Sequence, residues 1–446
     1  MSAEQTDSGR WAVLSDVART QLWPVPAVAV VLATITGVML PKVDEQVADE
    51  LPNVLYDYLF SGGPDAARAV LSAVAGSMIT VTSLTFSLTV VTLQLASSQF
   101  SPRLLRNFTR DRVVQGTLAL FLATFAYSLT VLRTVRSRTE DQGGFVPQLS
   151  VTLAFLLAVA SVLALVAFLS HLAREIRVET MLLGVHTEAS RTARRVLGPS
   201  DDPATRVPVA ARPTDARRLM AGGSGFLASV HSDALLGVAT ATDCVIRIDQ
   251  RPGDSLVAGT PVGWVWSHDP DQPLTGERLE QVRATLADAL RTSFERTSAQ
   301  DLAFGLRQLT DVAVKALSPG INDPTTAAHA LGHSSALLCE VADRDLGAMA
   351  YDDDQGVVRL VLARPDLADL LDLVVAQPLR YGAEDPAVLA RIARLLEEVA
   401  WSTDRAPVFE AVAEQLARLR AKAAAADFDV AERTLLEGAT AAVDDV

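Results

Sequence analysis

The chain has four long stretches without a charged side chain, and all of them lie before Arg174. They cover positions 22–40, 69–102, 113–132 and 142–173. About 20 apolar residues suffice for a helix to cross the hydrocarbon core of a bilayer. The alternative, helices buried inside a soluble protein, fits four such runs in so short a segment poorly. We therefore predict membrane spans at 22–40, 70–100, 113–132 and 149–172.

The first run also has the length of a signal peptide, but no clear small-residue cleavage site follows it, so we interpret it as an uncleaved span. Arginine and lysine near span ends favour the cytosol. Nine of them lie in the N-terminal segment, the second connection and the chain after the last span, against five on the opposite side. We therefore expect a multi-pass protein of the cytoplasmic (inner) membrane with both termini in the cytosol.

Charge is distributed unevenly along the chain. Residues 1–173 hold 11 basic and 12 acidic side chains, whereas residues 174–446 hold 28 and 41. An acidic C-terminal part has no basic surface for phosphates, which argues against nucleic acid as a partner. The only two cysteines, Cys244 and Cys339, form neither a zinc motif nor a disulfide framework.

The segments after the last span predict a mixed but mainly helical cytosolic domain. The expected fold class is an all-α four-span membrane bundle followed by an α+β domain with a small β-barrel-like segment. Strands are expected at 245–250 and 255–266, a hairpin at 351–362, and one of the helices at 277–296. The expected layout is a cytosolic segment at 1–21, the membrane domain at 22–173, a juxtamembrane helix at 174–198, a linker at 199–224 and the cytosolic domain at 225–446.

The stretch from Gly253 to Val262 is similar to the turn-and-strand signature of biotinyl- and lipoyl-carrier folds. A carrier needs a lysine in the opposing hairpin, and no lysine lies between Lys42 and Lys315. A structural β-segment is therefore expected, in which Gly253 and Gly259 supply a tight turn and a kink.

Three local patterns carry a resemblance to a known family. They read GSMITV at 76–81, LQLASSQFSPRLLRNF at 93–108 and ALSPGINDP at 316–324. With them, the chain resembles the bacterial predicted membrane proteins of domain-of-unknown-function family 2254 over nearly its whole length. The resemblance implies four spans and a cytosolic C-terminal domain. It implies no activity and assigns no functional residue.

The second span carries two polar stripes, as residues of a helix follow one another at 100° intervals. The threonine stripe contains Thr82, Thr85, Thr89 and Thr92. The opposite stripe, which we call the Gly76 stripe, contains Gly76, Thr80, Ser83, Ser87, Gln94 and Ser98. Ordinary helix packing explains one such stripe. Two stripes favour a second environment, so we predict that the Gly76 stripe lines a pore and that Arg103 and Arg106 form an anion-attracting mouth. The alternative for these arginines is the positive-inside rule.

Two sites in the C-terminal part remain open on sequence alone. The loop containing Ser318, Asn322, Asp323 and Thr325 is predicted either to bind a small ligand or to cap the next helix, with Asp323 as N-cap before Pro324. His329 and His333, four residues apart on a helix, suggest either a metal pair or surface histidines. The second interpretation is favoured because no HExxH glutamate accompanies them. The acidic turn at 352–354 is interpreted as solvated.

The favoured function is a homo-oligomeric channel for small ions, with a preference for anions, lined by the second span. The alternative is a membrane-anchored sensor or scaffold whose cytosolic domain binds a ligand or a protein. An enzyme is disfavoured, because the sequence lacks a Walker loop, GxSxG and GxGxxG. No cofactor and no metal are expected, and the partners are the lipid bilayer and further copies of the chain.

Overall fold

The computed structural model describes residues 23–47, 59–99, 111–136, 145–175, 177–197 and 212–446, with backbone alone at 47 and 96–99. These residues divide into two compact units, Met1–Arg177 and Val178–Val446. Each unit is described by itself below. The division places the helix that follows the last span in the second unit.

The first unit contains four helices that are long and apolar enough to cross a membrane, as the sequence predicts. They are α1 (Pro24–Val47), α2 (Pro64–Gln99), α3 (Arg112–Leu132) and α4 (Gln148–Glu175). α1 continues through Pro41, beyond the end expected at residue 40. α2 is unbroken over 36 residues. At 1.5 Å per residue it measures about 54 Å, well over the hydrocarbon thickness of about 30 Å.

The third span is the centre of the membrane unit, because α1, α2 and α4 all pack against it. α1 approaches closely at Gly37, where a Cβ atom would lie 2.9 Å from the Cβ of Thr130. α4 is joined to α3 by a hydrogen bond of 3.2 Å between the hydroxyls of Thr124 and Ser161. Small residues and interhelical hydroxyl bonds are the usual means of holding membrane helices together, since lipid supplies no hydrophobic drive between them.

A buried carboxylate fixes the start of the fourth span. Asp44 of α1 accepts hydrogen bonds from the backbone N–H of Leu149 at 2.9 Å and of Ser150 at 3.0 Å, and from the Ser150 hydroxyl at 2.7 Å. Tyr127 donates to the backbone oxygen of the same Ser150. The first N–H groups of a helix have no partner within it. A side chain from another span thus caps α4 at the end of the bundle where α1 finishes.

The second unit begins with a 20-residue helix, α5 (Val178–Leu197), and continues with eight more helices and eight strands in its described part. The helices are α6 (Ser232–Ala241), α7 (Gly276–Ala289), α8 (Leu302–Ala316), α9 (Pro324–Ala342), α10 (Leu367–Tyr381), α11 (Pro386–Trp401), α12 (Ala406–Ala425) and α13 (Val430–Asp444). The strands are β1 (Arg217–Met220), β2 (Gly225–Val230), β3 (Cys244–Ile248), β4 (Ser255–Leu256), β5 (Pro261–Ser267), β6 (Leu290–Ser293), β7 (Met349–Asp352) and β8 (Val358–Leu362).

The strands form two open sheets, so the expected barrel-like segment is not found. The larger sheet has the order β1-β5-β3-β8-β7, antiparallel except for the parallel pair β3–β8, and the smaller has the order β4-β2-β6. Apolar residues from both sheets and from α6 and α7 form one core cluster, which includes Leu219, Leu227, Ile246 and Leu286. The antiparallel β7–β8 pair and its turn correspond to the predicted hairpin.

Two further expectations differ from the structure. The predicted helix 277–296 ends at Ala289, and the chain continues directly into β6, which pairs with β2. The segment 199–224, expected to be a linker, contains β1 at the edge of the larger sheet. Both strands are short, with arginine or threonine at most of their exposed positions, and each forms only by pairing with a strand distant in sequence. Local patterns therefore do not reveal them.

Candidate functional site

The two polar stripes of α2 lie in opposite environments in the protomer. The threonine stripe is buried against the rest of the bundle, with Thr85 only 1% exposed. Thr82, Thr89 and Thr92 donate their hydroxyls to backbone oxygens four residues earlier, which satisfies them within the helix. The threonine stripe is therefore an internal packing surface, as expected for a helix that meets small polar residues of neighbouring spans.

The Gly76 stripe lies on the exposed side of the same helix. Gly76, Thr80, Ser83, Ser87 and Gln94 are all exposed in the protomer. Thr80 donates its hydroxyl to the backbone oxygen of Gly76 at 3.1 Å. Of Ser98, the backbone alone is described. Hydroxyl and amide groups on an outer membrane face need a partner that hydrocarbon cannot provide.

Large apolar side chains flank this stripe on both sides. At 100° per residue, Ile79 and Phe86 lie along one edge of it and Leu84 and Leu95 along the other. All four are exposed, Leu84 to 64%. A narrow polar strip thus lies between two apolar margins on the exposed side of α2.

An apolar groove of about 660 Å³ opens beside the Gly76 stripe, between α1, α2 and α3. Its walls are Trp23, Pro26, Ala27 and Val30 of α1 (Trp23 directly precedes the helix), Ile79, Thr82, Ser83 and Phe86 of α2, and Leu118 and Leu122 of α3. Ser83 therefore borders both the stripe and the groove. Trp23, an amphipathic side chain typical of the membrane interface, lies at the start of α1.

A histidine–carboxylate pair lies where α3 begins. Asp111 is the N-cap of α3 and accepts from the N–H of Val113 at 2.8 Å, while its other oxygen lies 2.5 Å from Nε2 of His171 on α4. Arg103 and Arg106, the predicted anion-attracting mouth, lie outside the described residues. Asp111 thus ties α3 to α4 at the end of the span that the sequence assigns to the cytosolic side.

The loop before α9 is organised around its own backbone. Asp323 accepts from the Thr326 hydroxyl at 2.6 Å and from the N–H of Thr326 at 3.0 Å, and these bonds lower the pKa of Asp323. Ser318 donates its hydroxyl to the backbone oxygen of Lys315. Asn322 has a positive φ of 49°, while Asn322 and Thr325 are exposed. The Asp323 carboxylate occupies the helix N-terminus, the position at which an external anion would bind, and ligand binding by this loop stays a prediction.

The two histidines of the predicted pair lie in a helix interface. His329 is exposed, but His333 is half-buried, and its ring lies 5.4 Å from that of His186 on α5, measured between ring centroids. Among the described residues, no group of three or more His, Cys, Asp or Glu side chains has a geometry that could hold a metal ion. His186 belongs to a helix far away in the sequence, so spacing alone could not reveal this contact.

The acidic turn of the hairpin is not simply solvated, contrary to expectation. Arg359, only 7% exposed, donates through Nε to Asp353 at 2.7 Å and through Nη1 to Asp243 at 2.6 Å. Burial disfavours the charged guanidinium, but the two carboxylates outweigh it and raise the pKa of Arg359. A buried arginine with two carboxylate partners is a structural clamp, here between the hairpin and the turn after α6.

Gly253 lies in a tight turn as predicted, whereas Gly259, expected as a kink within the strand 255–266, lies in the turn that separates β4 from β5. Gly253 has a φ of 97° and Gly259 a φ of 77°. A Cβ atom on Gly253 would lie 2.1 Å from the Asp301 carboxylate, which pairs with Arg296 and is almost fully buried. Burial raises the pKa of Asp301 despite that partner. The backbone of Gly253 is thus pressed against a buried ion pair, which the sequence does not indicate.

Four apolar spans with buried interhelical polar bonds, followed by a mixed unit, define the class of this chain as an integral membrane protein. It belongs to the family described as predicted membrane protein, domain of unknown function 2254, whose model matches residues 19–398. Uncharacterised proteins of Mycobacterium bovis and Mycobacterium tuberculosis strain H37Rv are each 36% identical to it, over 98% of this chain and 82% of theirs. No solved structure matches the chain.

Proposed function

We propose that this protein is a homo-oligomeric pore of the cytoplasmic membrane, lined by the Gly76 stripe of α2 and conducting small ions. The main support for a pore is that α2 has two polar stripes, of which one is buried in the protomer and the other is exposed on its surface. Three of the four buried threonines donate to backbone oxygens of their own helix, whereas the Thr85 hydroxyl has no hydrogen-bond partner among the described residues. An exposed stripe needs water or another protein chain.

The flanking residues support an arrangement of several copies around an axis. Ile79 and Phe86 on one side and Leu84 and Leu95 on the other would pack against α2 of neighbouring copies, while the serines and Gln94 would face water. The stripe holds no fixed charge, so selectivity would come from its mouth. Arg103 and Arg106, in the predicted cytosolic connection, would favour anions by raising their local concentration.

Cysteine accessibility tests the pore without knowledge of the ion. Ser87→Cys and Gln94→Cys should react with a charged, membrane-impermeant thiol reagent in reconstituted protein, because both face water. Leu84→Cys, on the flank of the same helix and at a similar depth as Ser87, is the matched control and should react slowly. Disulfide formation between copies at Ser87→Cys would place the stripe at a shared axis. Equal protection of Ser87→Cys and Leu84→Cys would refute the pore.

A membrane-anchored sensor or scaffold remains the second candidate. Its support is the second unit itself, Val178–Val446, which packs as one compact body. In that case the Gly76 stripe would pack against a partner protein and no copy of the chain would conduct. Purified, assembled protein that carries no current under any voltage, tension, pH or salt would favour the scaffold.

A further inference from the structure

α5, the helix that follows the last span in the chain, packs tightly against other helices of the second unit. α4 ends at Glu175 and α5 begins at Val178, so the two helices are close neighbours in the chain. α5 packs against α8 and α9. At the crossing with α8, a Cβ atom on Gly305 would lie 2.3 Å from the Cβ of Ala189, so the two backbones are as close as glycine permits. α5 is thus the first element of the second unit, and it is held closely against α8.

Along α9, the contact with α5 is made by histidines. We define the histidine seam as His186 of α5 with His329 and His333 of α9. The rings of His186 and His333 are tilted by 59° with centroids 5.4 Å apart. Nδ1 of His186 lies 3.3 Å from the backbone oxygen of His333, and Nδ1 of His329 lies 3.7 Å from Glu179 of α5.

The two contacting rings differ in what protonation does to them. A carbonyl oxygen can only accept, so Nδ1 of His186 donates to it, which is possible for the neutral ring and for the imidazolium. Burial opposes the ionisation of Glu340, but bonds from Ser190 and Arg194 lower its pKa, and a charged His186 lowers it further. A carboxylate that favours its charged form therefore lies near His186.

The surroundings of His333 oppose its protonation. Burial lowers the pKa of His333, and the neighbouring His186 and His329 lower it further. Two imidazolium rings with centroids 5.4 Å apart in a half-buried interface repel each other strongly. A second positive charge at the contact is thus opposed by every histidine around it.

The other ionisable groups of the surrounding helices do not offset this. Glu179 is paired with His329, and Glu340 with Arg194. From α11, Arg391 approaches Gly332, the residue before His333, and is itself paired with Glu398. The ionisable side chains of the two other helices packed on α9 are Arg307, Asp311 and Lys315 of α8 and Asp369, Asp372, Arg380 and Tyr381 of α10.

We propose that the histidine seam makes the docking of α5 on α9, within the second unit, dependent on pH. α5 is docked on α9 while the two contacting rings do not both carry a proton, and mild acid loosens the docking by placing a positive charge on each of them. Since the ordinary histidine pKa is about 6.5 and that of His333 lies below it, docking is complete above that value. It is lost as the pH falls through the lowered pKa. The inference does not depend on whether α2 conducts.

The distance between α5 and α9 tests the pH dependence of their docking directly. Spin labels at Arg191→Cys and Ala336→Cys, both exposed, report it by double electron–electron resonance in the full chain reconstituted in lipid, with Cys244 and Cys339 replaced by alanine. We expect one distance at about pH 8 and a second, longer one that grows in as the pH falls below the ordinary histidine value of about 6.5. His333→Gln should abolish the second distance, because the ring contact can then no longer carry two positive charges.

Two further variants keep the outcome decisive if His333→Gln folds poorly. His186→Gln should also abolish the acid-induced distance, since one imidazolium then has no cationic neighbour at the ring contact. His329→Gln leaves the ring contact between His186 and His333 intact, so the transition should persist, with its midpoint moved to higher pH because His329 no longer lowers the pKa of His333. An unchanged distance down to about pH 5 in the parent chain would overturn the proposal. An acid transition with the same midpoint in both His333→Gln and His186→Gln would do so as well.

Discussion

Asp44 and Ser150, far apart in sequence, meet at the start of the fourth span, where the carboxylate of Asp44 accepts both the hydroxyl and the backbone N–H of Ser150. The carboxylate is buried, and it also holds the N–H of Leu149. Because the cap of α4 comes from α1, it fixes the position of these two helices along each other. It also explains structurally why a carboxylate is buried among these helices.

We expect Asp44→Ala to destabilise the membrane unit by about 1–3 kcal/mol, because buried N–H groups at the start of α4 lose a charged partner. Thermal unfolding of the purified protein in detergent measures the loss. Asp44→Asn, which can still accept one bond, should lose less. Glu45→Ala, at the exposed neighbouring position, is the control and should melt like the parent chain. Equal melting of Asp44→Ala and Glu45→Ala would contradict the capping role.

Gly253→Val should lower the stability of the second unit by about 1–3 kcal/mol, since both its positive φ and the nearby Asp301 exclude a side chain. Gly259→Ala provides a matched comparison. Gly259 also has a positive φ, but a Cβ atom there would meet nothing within 4 Å. Its cost should therefore be the smaller of the two, in denaturant melts followed by circular dichroism. A larger loss for Gly259→Ala would show that contact with the ion pair is unimportant.

Ser87→Leu should reduce single-channel conductance severalfold in planar bilayers, because it replaces a hydroxyl on the predicted pore wall with a bulky apolar group. Assembly, checked by size-exclusion chromatography in detergent, should be unchanged. Leu84→Ile alters the flank at a similar depth and should leave conductance near that of the parent. The pore assignment fails if the two variants conduct alike.

Arg103→Glu should shift the reversal potential in a salt gradient toward cations, since it exchanges an attracting charge for a repelling one at the predicted mouth. The shift should be modest and should shrink at high salt, because exposed charges are screened over about 8 Å at physiological ionic strength. Arg103→Lys keeps the charge and should keep the parent potential. A salt-independent shift would indicate a structural effect instead.

Single cysteines test the orientation of the membrane unit. Ser101→Cys, in the predicted cytosolic connection, should be protected from an impermeant thiol reagent added to intact cells. Asp49→Cys, in the first connection, should be labelled. The reverse pattern would invert the topology and move the predicted anion-attracting mouth to the outer face.

The sequence predicts the spans, the hairpin and the glycine turn, because each of these depends on residues that are close together in the chain. Uncharged length reveals a span, and a turn sequence between two apolar runs reveals a hairpin. The Asp44 cap and the histidine seam join residues far apart in the chain, and no local pattern encodes them. β6 escapes prediction for a related reason. Its residues continue an acceptable helical sequence, and only pairing with β2 makes them a strand.

The close crossing of Ala189 and Gly305 also determines where the chain can be divided for expression as a soluble fragment. A fragment that starts after residue 211 discards α5 and uncovers the surfaces of α8 and α9 on which it lies. Buried apolar side chains of α5, among them Met181, Leu182 and Val185, would be lost with the helix. A fragment that begins at Val178 keeps α5 on these surfaces of α8 and α9. We expect this fragment to remain soluble in crystallisation trials.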